Sequence, residues 1–366
     1  MTYDGEHVLR TLMAEEGLDA IALVPGANFR QVYNKNFYQN ERSLVILLQR
    51  DGESLAVVPA LEAASFDLIG FEGEVFHWRD NDGAESAFQA LGDHASPLRI
   101  GVEGQTMRVM EHHGLKRAFP DAEIIDLHKA ISSALRLNKG DADIALMRRA
   151  IAISQDALQR TFEEVRIGQT ETEIESLLLK NLFAAGAEGM AFAPIVVAAE
   201  NSYRPHAKAR ADYAVKAGDA LLFDFGASFG GYMADITRTV FVQHCPDEAA
   251  GVYETVFAAN TAGREAARPG ISAHDLDDIV LSVLEASPFS QFIRTKTGHG
   301  LGRDVHEDPY IMRGNHQRLE PGMVFTIEPG LYLPDKFGVR IEDDVLITDE
   351  GAESLTTFTR EVVLVA

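Results

Sequence analysis

Leu222-Phe223-Asp224-Phe225-Gly226-Ala227-Ser228-Phe229-Gly230-Gly231-Tyr232-Met233-Ala234-Asp235-Ile236-Thr237-Arg238-Thr239 sets two acids in apolar surroundings with a glycine pair between them. An ionised carboxylate in the middle of an apolar strand carries a heavy desolvation cost unless it is paired or ligated. Asp224 therefore needs a partner. The Phe229-Gly230-Gly231 sequence suits a hairpin turn, and a hairpin brings Asp224 and Asp235 side by side. Two carboxylates held that close repel each other unless a cation lies between them or a guanidinium neutralises them. Arg238 and Arg340 are candidates for the second arrangement, and these two acids alone leave both open.

Further along, Gly298-His299-Gly300-Leu301-Gly302-Arg303-Asp304-Val305-His306-Glu307-Asp308-Pro309 places two histidines in a glycine-rich stretch. Its glycines thin the side-chain cover around His299, as happens where a ligand or another backbone approaches closely. Met323-Val324-Phe325-Thr326-Ile327-Glu328-Pro329-Gly330 ends an apolar strand on a carboxylate before a Pro-Gly turn. In Gly338-Val339-Arg340-Ile341-Glu342-Asp343-Asp344-Val345, strand alternation puts Arg340 and Glu342 on one face and Val339, Ile341 and Asp343 on the other. Each acid alone reads as a surface-strand residue. Together, four strand-borne carboxylates and a histidine form an oxygen-rich ligand set suited to two divalent ions such as Mn²⁺, Co²⁺, Fe²⁺ or Zn²⁺.

Around these motifs the pattern is α+β. Long helical periodicities run over Asp141–Glu164, from the capping box Thr170-Glu171-Thr172-Glu173 to about Ala185, over Glu248–Ala267 and over His274–Ala286. Strands are predicted over Phe192–Ala198, Ala220–Phe225, Tyr232–Val242, Met323–Leu331 and Val339–Thr348. The amino-terminal part reads as a separate α/β domain, with a helix over His7–Glu16, strands over Ala20–Val24, Ser43–Leu48, Ser54–Pro59, Ile100–Val102 and Ala122–Ile125, and a helix around Thr106–Phe119. A helical linker over Leu127–Leu137 leads to the Asn138-Lys139-Gly140-Asp141 break. The boundary is placed there, giving domains 1–140 and 141–366.

Composition narrows the partners. The chain has 366 residues and a net charge of −23, a field that repels phosphate backbones and acidic lipids, so neither nucleic acid nor a membrane surface is expected. No apolar run reaches the ~20 residues of a spanning helix. Met1–Glu6 carries acids where a signal peptide carries bases, so a cytoplasmic location is expected. The lone Cys245 excludes an internal disulfide and suits a reducing compartment.

The order Asp, Asp, His, Glu, Glu with these flanking residues resembles the pita-bread metallopeptidases, the group of methionyl aminopeptidases, aminopeptidase P and prolidase. Asn28-Phe29 through Glu41-Arg42, followed by a strand, resembles the creatinase-like amino-terminal domain. The simplest methionyl aminopeptidases lack that domain, so the resemblance points to the aminopeptidase P and prolidase branch. It implies a C-terminal pita-bread fold preceded by an α/β creatinase-like domain, and a homodimer. It also implies that Asp224 chelates one ion, that Asp235 and Glu342 bridge both, and that His299 and Glu328 complete the other. Two divalent ions, manganese foremost with cobalt, iron or zinc as alternatives, would hold a bridging hydroxide, and Glu328 would act as general base. His206, in Asn201-Ser202-Tyr203-Arg204-Pro205-His206, and His306 match histidines that contact substrate and the tetrahedral oxyanion in this family. Arg340 resembles a cation orienting a metal-bound carboxylate, which its strand parity with Glu342 supports independently. Tyr232 and Tyr332 flank the site as packing or substrate-contact residues.

One position departs from the family pattern. After His306-Glu307-Asp308-Pro309, prolidases confined to dipeptides often carry an arginine that reads the substrate's free carboxylate; here Tyr310 stands there, with Arg313 three residues on as a substitute. The expected activity is a dinuclear-metal exopeptidase acting on the Xaa-Pro bond of peptide amino termini or of Xaa-Pro dipeptides. A metal-dependent hydrolase or lyase of a small solute, of ectoine type or a sulfonium compound, is the alternative on the same scaffold. Creatinases work without metal and lack this ligand set. A non-catalytic binding module is disfavoured because all five ligands are present.

Overall fold

The computed structural model describes residues 4–366; residues 1–3, at the head of the acidic amino-terminal stretch, lie outside the described residues. The chain divides into two compact units, Met1–Leu137 and Asn138–Ala366.

The first unit is built on a six-stranded mixed sheet. Its central strand Ala20–Leu23 pairs antiparallel with Val45–Gln49 and parallel with Arg99–Val102. Ile21, Leu23, Ile46 and Leu48 enter one apolar cluster with Leu9, Leu12 and Met13 of the helix Gly5–Glu16. Ala20, Ala22, Val45 and Leu47 enter another with Phe88 and Leu91 of the helix Glu85–His94. Burial on both faces explains why these strands read as continuous apolar runs without alternation. The strand Gly73–Trp78 escapes sequence reading for the opposite reason: it lies on the sheet edge, only its last residue is buried, and it begins with Gly73-Glu74.

In the second unit, the helices Asp141–Glu164 and Glu171–Ala184 bury Ile153, Leu158, Ile174 and Leu178 against Leu221, Phe223 and Phe225 of the strand Ala220–Phe225. The predicted capping box is present, with the Glu173 amide donating to Thr170 Oγ1 (3.3 Å) and the Thr170 amide to Glu173 Oε2 (2.7 Å). Since Phe223 and Phe225 face the helices, alternation turns Asp224 to the other side of the sheet. The helices Asp247–Ala266 and Ala273–Glu285 close a second core with Leu331, Leu333, Val339 and Ile341. No helix among the described residues is long and apolar enough to cross a membrane.

The expected hairpin forms. Ala220–Phe225 pairs antiparallel with Ile236–Val242, and between them Ala227–Phe229 folds back on Tyr232–Met233. The turn residues Gly230 and Gly231 have φ of 57° and 79°, the two positive values that a tight hairpin of this hand requires.

Three predicted strands are each interrupted at an acid. Tyr232–Val242 is split into Tyr232–Met233 and Ile236–Val242, Met323–Leu331 into Val324–Ile327 and Gly330–Leu333, and Val339–Thr348 into Phe337–Arg340 and Asp343–Ile347. Asp235, Glu328 and Glu342 occupy the gaps. Of the four predicted strand-borne carboxylates, only Asp224 lies within a strand, while His299 falls in the short strand Gly298–Gly300. The predicted strand over Phe192–Ala198 begins only at Ile195, after Pro194, which has no amide hydrogen to give a ladder.

Candidate metal centre

The strand breaks let the backbone aim acids that a regular pleat would send to alternate faces. Ligand atoms of Asp235, His299 and Glu342 all lie within 4.8 Å of one another. The His299 Nε2 atom is 3.3 Å from Glu328 Oε1 and 3.8 Å from Asp235 Oδ2. Asp224 joins them through its charge, which raises the pKa of Asp235, Glu328 and Glu342. The glycines beside His299 serve another backbone: a Cβ on Gly298 would lie 1.9 Å from the Thr326 carbonyl oxygen, and one on Gly300 would lie 2.4 Å from that of Asp308.

The electrostatics favour a cation. Burial first, then the charges of Glu342 and Asp224, raise the Asp235 carboxyl well above its ordinary value. Burial and the charges of Glu328 and Asp224 do the same to Glu342. Glu328 is pushed up to about 7 by burial and Asp224, although Arg340 opposes the shift. Burial pushes His299 down to about 4, so its ring is neutral near pH 7 and able to ligate. Its Nδ1 lies 3.1 Å from the Gly300 carbonyl oxygen, an arrangement that leaves Nε2 as the lone-pair nitrogen toward the acids. Asp224 Oδ1 and Asp235 Oδ1 are buried with no hydrogen-bond partner. An oxygen-rich set with two unsatisfied carboxylate oxygens and one neutral imidazole fits a hard or borderline divalent ion.

Arg340 does not neutralise the whole cluster. One guanidinium nitrogen pairs with Asp224 Oδ2, Nη1 donates to the Tyr332 hydroxyl (2.7 Å), and Nε donates to Thr237 Oγ1 (3.1 Å). Burial opposes its charge, but Tyr332, Asp224, Glu342 and Glu328 raise its pKa well above the ordinary value. Thr237 Oγ1 in turn donates to Glu342 Oε2 (2.6 Å), so Arg340 and Glu342 meet on one face as their parity predicted. Arg238, the other candidate neutraliser, is committed to Asp343 Oδ1 (2.7 Å) on the opposite face.

Sequence reading missed several supporting groups. Thr326 Oγ1 accepts from the His299 amide (3.1 Å) and donates to Glu328 Oε1 (3.3 Å). Asp344 Oδ2 accepts from the Asp235 amide (3.2 Å). Lys139 and Glu307 form a buried pair (2.6 Å) beside the loop that carries His306. Parity was the available signal for the two threonines, each two residues from a ligand. Lys139 and Glu307 are too far apart in sequence to suggest each other.

The His306 ring lies 4.0 Å from that of His299, and partial burial with the His299 charge pushes its pKa down to about 4. His206 is exposed after the short helix Ala199–Tyr203, yet close enough for its charge to register on His306. Tyr332 is buried and serves Arg340. The Tyr232 hydroxyl donates to Asp143 Oδ1 (2.5 Å), and the Arg303 guanidinium lies over its ring at 4.5 Å. Arg313 is engaged by acids of a neighbouring helix. Its guanidinium bonds Glu285 through two nitrogens (2.6 and 3.0 Å) and Asp278 (2.9 Å), because the helix Ala273–Glu285 offers two exposed acids beside it.

Residues 145–349 match metallopeptidase family M24, and residues 7–137 match the creatinase/prolidase N-terminal domain. The structure is similar to that of a prolidase from Thermococcus sibiricus, with a TM-score of 0.93, 31% identity and 100% of both chains covered. It is also similar to an Xaa-Pro dipeptidase from Bacillus anthracis, with a TM-score of 0.89, 27% identity and 99% of each chain covered. An X-Pro aminopeptidase from Thermotoga maritima gives a TM-score of 0.84 at 29% identity, covering 99% of this chain and 100% of that one.

Proposed function

The chain belongs to metallopeptidase family M24, as a hydrolase with a pita-bread domain and a creatinase/prolidase N-terminal domain, and on that premise we propose that it is an exopeptidase cleaving the bond before proline, in Xaa-Pro dipeptides or at peptide amino termini. The observation that carries this reading is the pair of buried, unsatisfied oxygens on Asp224 and Asp235 in the cluster that His299, Glu328 and Glu342 complete. We assign these five residues to hold two divalent ions, manganese first and cobalt, iron or zinc after it. When bound, such ions supply Lewis-acid polarisation of the scissile carbonyl and bring the pKa of a water close to neutral.

The protein's own groups do the rest. Glu328 takes a proton from the attacking water and returns it to the leaving nitrogen, its Oε1 held by the Thr326 hydroxyl. His306, neutral near pH 7, offers a hydrogen bond without adding positive charge. With His206 it stabilises the oxyanion of the tetrahedral intermediate. Arg340 and Thr237 fix the orientations of Asp224 and Glu342.

Asp235→Ala and Glu328→Ala variants, loaded with Mn²⁺ or Co²⁺, are expected to lose release of proline from Xaa-Pro substrates. Wild-type rates in either variant overturn the reading. Tyr310 and the occupied Arg313 favour one alternative, a small-solute hydrolase or lyase, so cyclic and sulfonium solutes belong in the same assay. Homodimeric assembly and a cytoplasmic location go with the proposal; a monomeric mass in light scattering counts against the first.

A further inference from the structure

With Arg313 held by Glu285 and Asp278, and Arg340 held by Asp224, the cations beside the site are largely committed. Lys296 is different. Among the described residues its ammonium makes no ion pair or hydrogen bond, and it rests over the ring of Tyr310, 5.3 Å from the centroid. The next residue, Thr297, is fixed on both sides: its amide donates to Asp277 Oδ1 (2.8 Å), and its carbonyl accepts from the Glu328 amide (2.7 Å). Tyr310 lies in the strand Glu307–Ile311, which follows His306 and pairs with the strand carrying His299. An uncommitted cation is thus held by an aromatic face between the segment that positions Glu328 and the strand that follows His306.

In an Xaa-Pro dipeptide, two backbone atoms separate the scissile carbonyl carbon from the terminal carboxylate carbon, so the two lie within about 4 Å of each other. A group that reads that carboxylate must therefore stand beside the hydrolytic centre. Lys296 does: it lies three residues before His299, the carbonyl of its neighbour Thr297 holds the Glu328 amide (2.7 Å), and its ring partner Tyr310 stands four residues after His306. In a chain of net charge −23, the carboxylate end of a zwitterionic dipeptide also needs such a local counter-charge.

We propose that Lys296, seated on Tyr310, reads the C-terminal carboxylate of the substrate, so that the enzyme prefers Xaa-Pro dipeptides with a free carboxylate over longer or blocked peptides. The inference rests on the peptidase reading above. Cation–π support from Tyr310 keeps the ammonium positioned while leaving its donors available to the carboxylate.

The test compares Ala-Pro, Ala-Pro-amide and Ala-Pro-Ala as substrates of Mn²⁺-loaded wild type, Lys296→Met and Lys296→Arg. Wild type is expected to favour Ala-Pro over the amide by at least about tenfold in kcat/KM. Lys296→Met should raise KM for Ala-Pro roughly 10- to 100-fold, leaving kcat and the amide reaction nearly unchanged, and Lys296→Arg should restore most of the loss. A uniform loss on all three substrates overturns the carboxylate contact, since a general electrostatic or structural role moves them together. So does a wild type that cleaves the amide and tripeptide as well as the dipeptide, and that outcome leaves the peptidase reading intact. A wild type that cleaves none of the three overturns both.

Discussion

At the scale of single residues, the site is a set of acids whose ordinary pKa values are incompatible with their packing. Between pH 4.5 and about 7 the folded, metal-free chain holds a proton on Glu328 that the unfolded chain has released. That group's contribution to stability therefore falls as pH rises through the window. His299 and His306, pushed to about 4, act in the opposite sense: below pH 6.5 the unfolded chain takes up protons that the folded rings refuse, so their contribution grows as pH rises from 4 to 6.5. Cation binding displaces the Glu328 proton but needs none from His299 above about pH 4, so metal affinity rises with pH. The rise in Tm on adding Mn²⁺, followed by differential scanning fluorimetry, is expected to be larger at pH 8 than at pH 5.5. An equal rise at both values refutes the linkage.

At the scale of elements, what positions the ligands is the interruption of strands. Asp224 was legible because it breaks an apolar run whose neighbours, Phe223 and Phe225, pack on helices. The hairpin was legible because Gly230-Gly231 is a turn of defined chemistry. The gaps at Asp235, Glu328 and Glu342 were not, since alternation continues across them and only the partner strands show where pairing stops. Thr237 and Thr326 offered only their parity with a ligand two residues away, while Lys296 and the Lys139–Glu307 pair were missed for a related reason: their partners are distant in sequence. Close strand approach gives the element-level prediction. Gly298→Ala would press a methyl against the Thr326 carbonyl, and neither backbone can yield without opening the pairing that carries His299. This variant is expected to melt several degrees lower and to lose most of its Mn²⁺-induced rise in Tm. Gly351→Ala, with nothing near the new methyl, should match wild type in both.

At the scale of the whole molecule, the charge of −23 is far larger than the four candidate metal-binding acids explain, and most of it acts as a long-range field. Salt screens that field, with a Debye length of about 10 Å at 0.1 M. The ratio of kcat/KM for Glu-Pro to that for Arg-Pro should therefore increase as NaCl is raised from about 10 to about 150 mM; a ratio that stays flat shows that only local contacts matter. The strand interruptions have one more consequence, for the order of assembly. Asp224 and Asp235 share a hairpin and can meet early, but His299, Glu328 and Glu342 arrive from segments whose pairing closes long loops, which is slow and comes late. A complete binding cage thus exists only after the sheets have formed, so the ions are passengers of folding rather than its template, and refolding should reach the native sheets at the same rate with or without them.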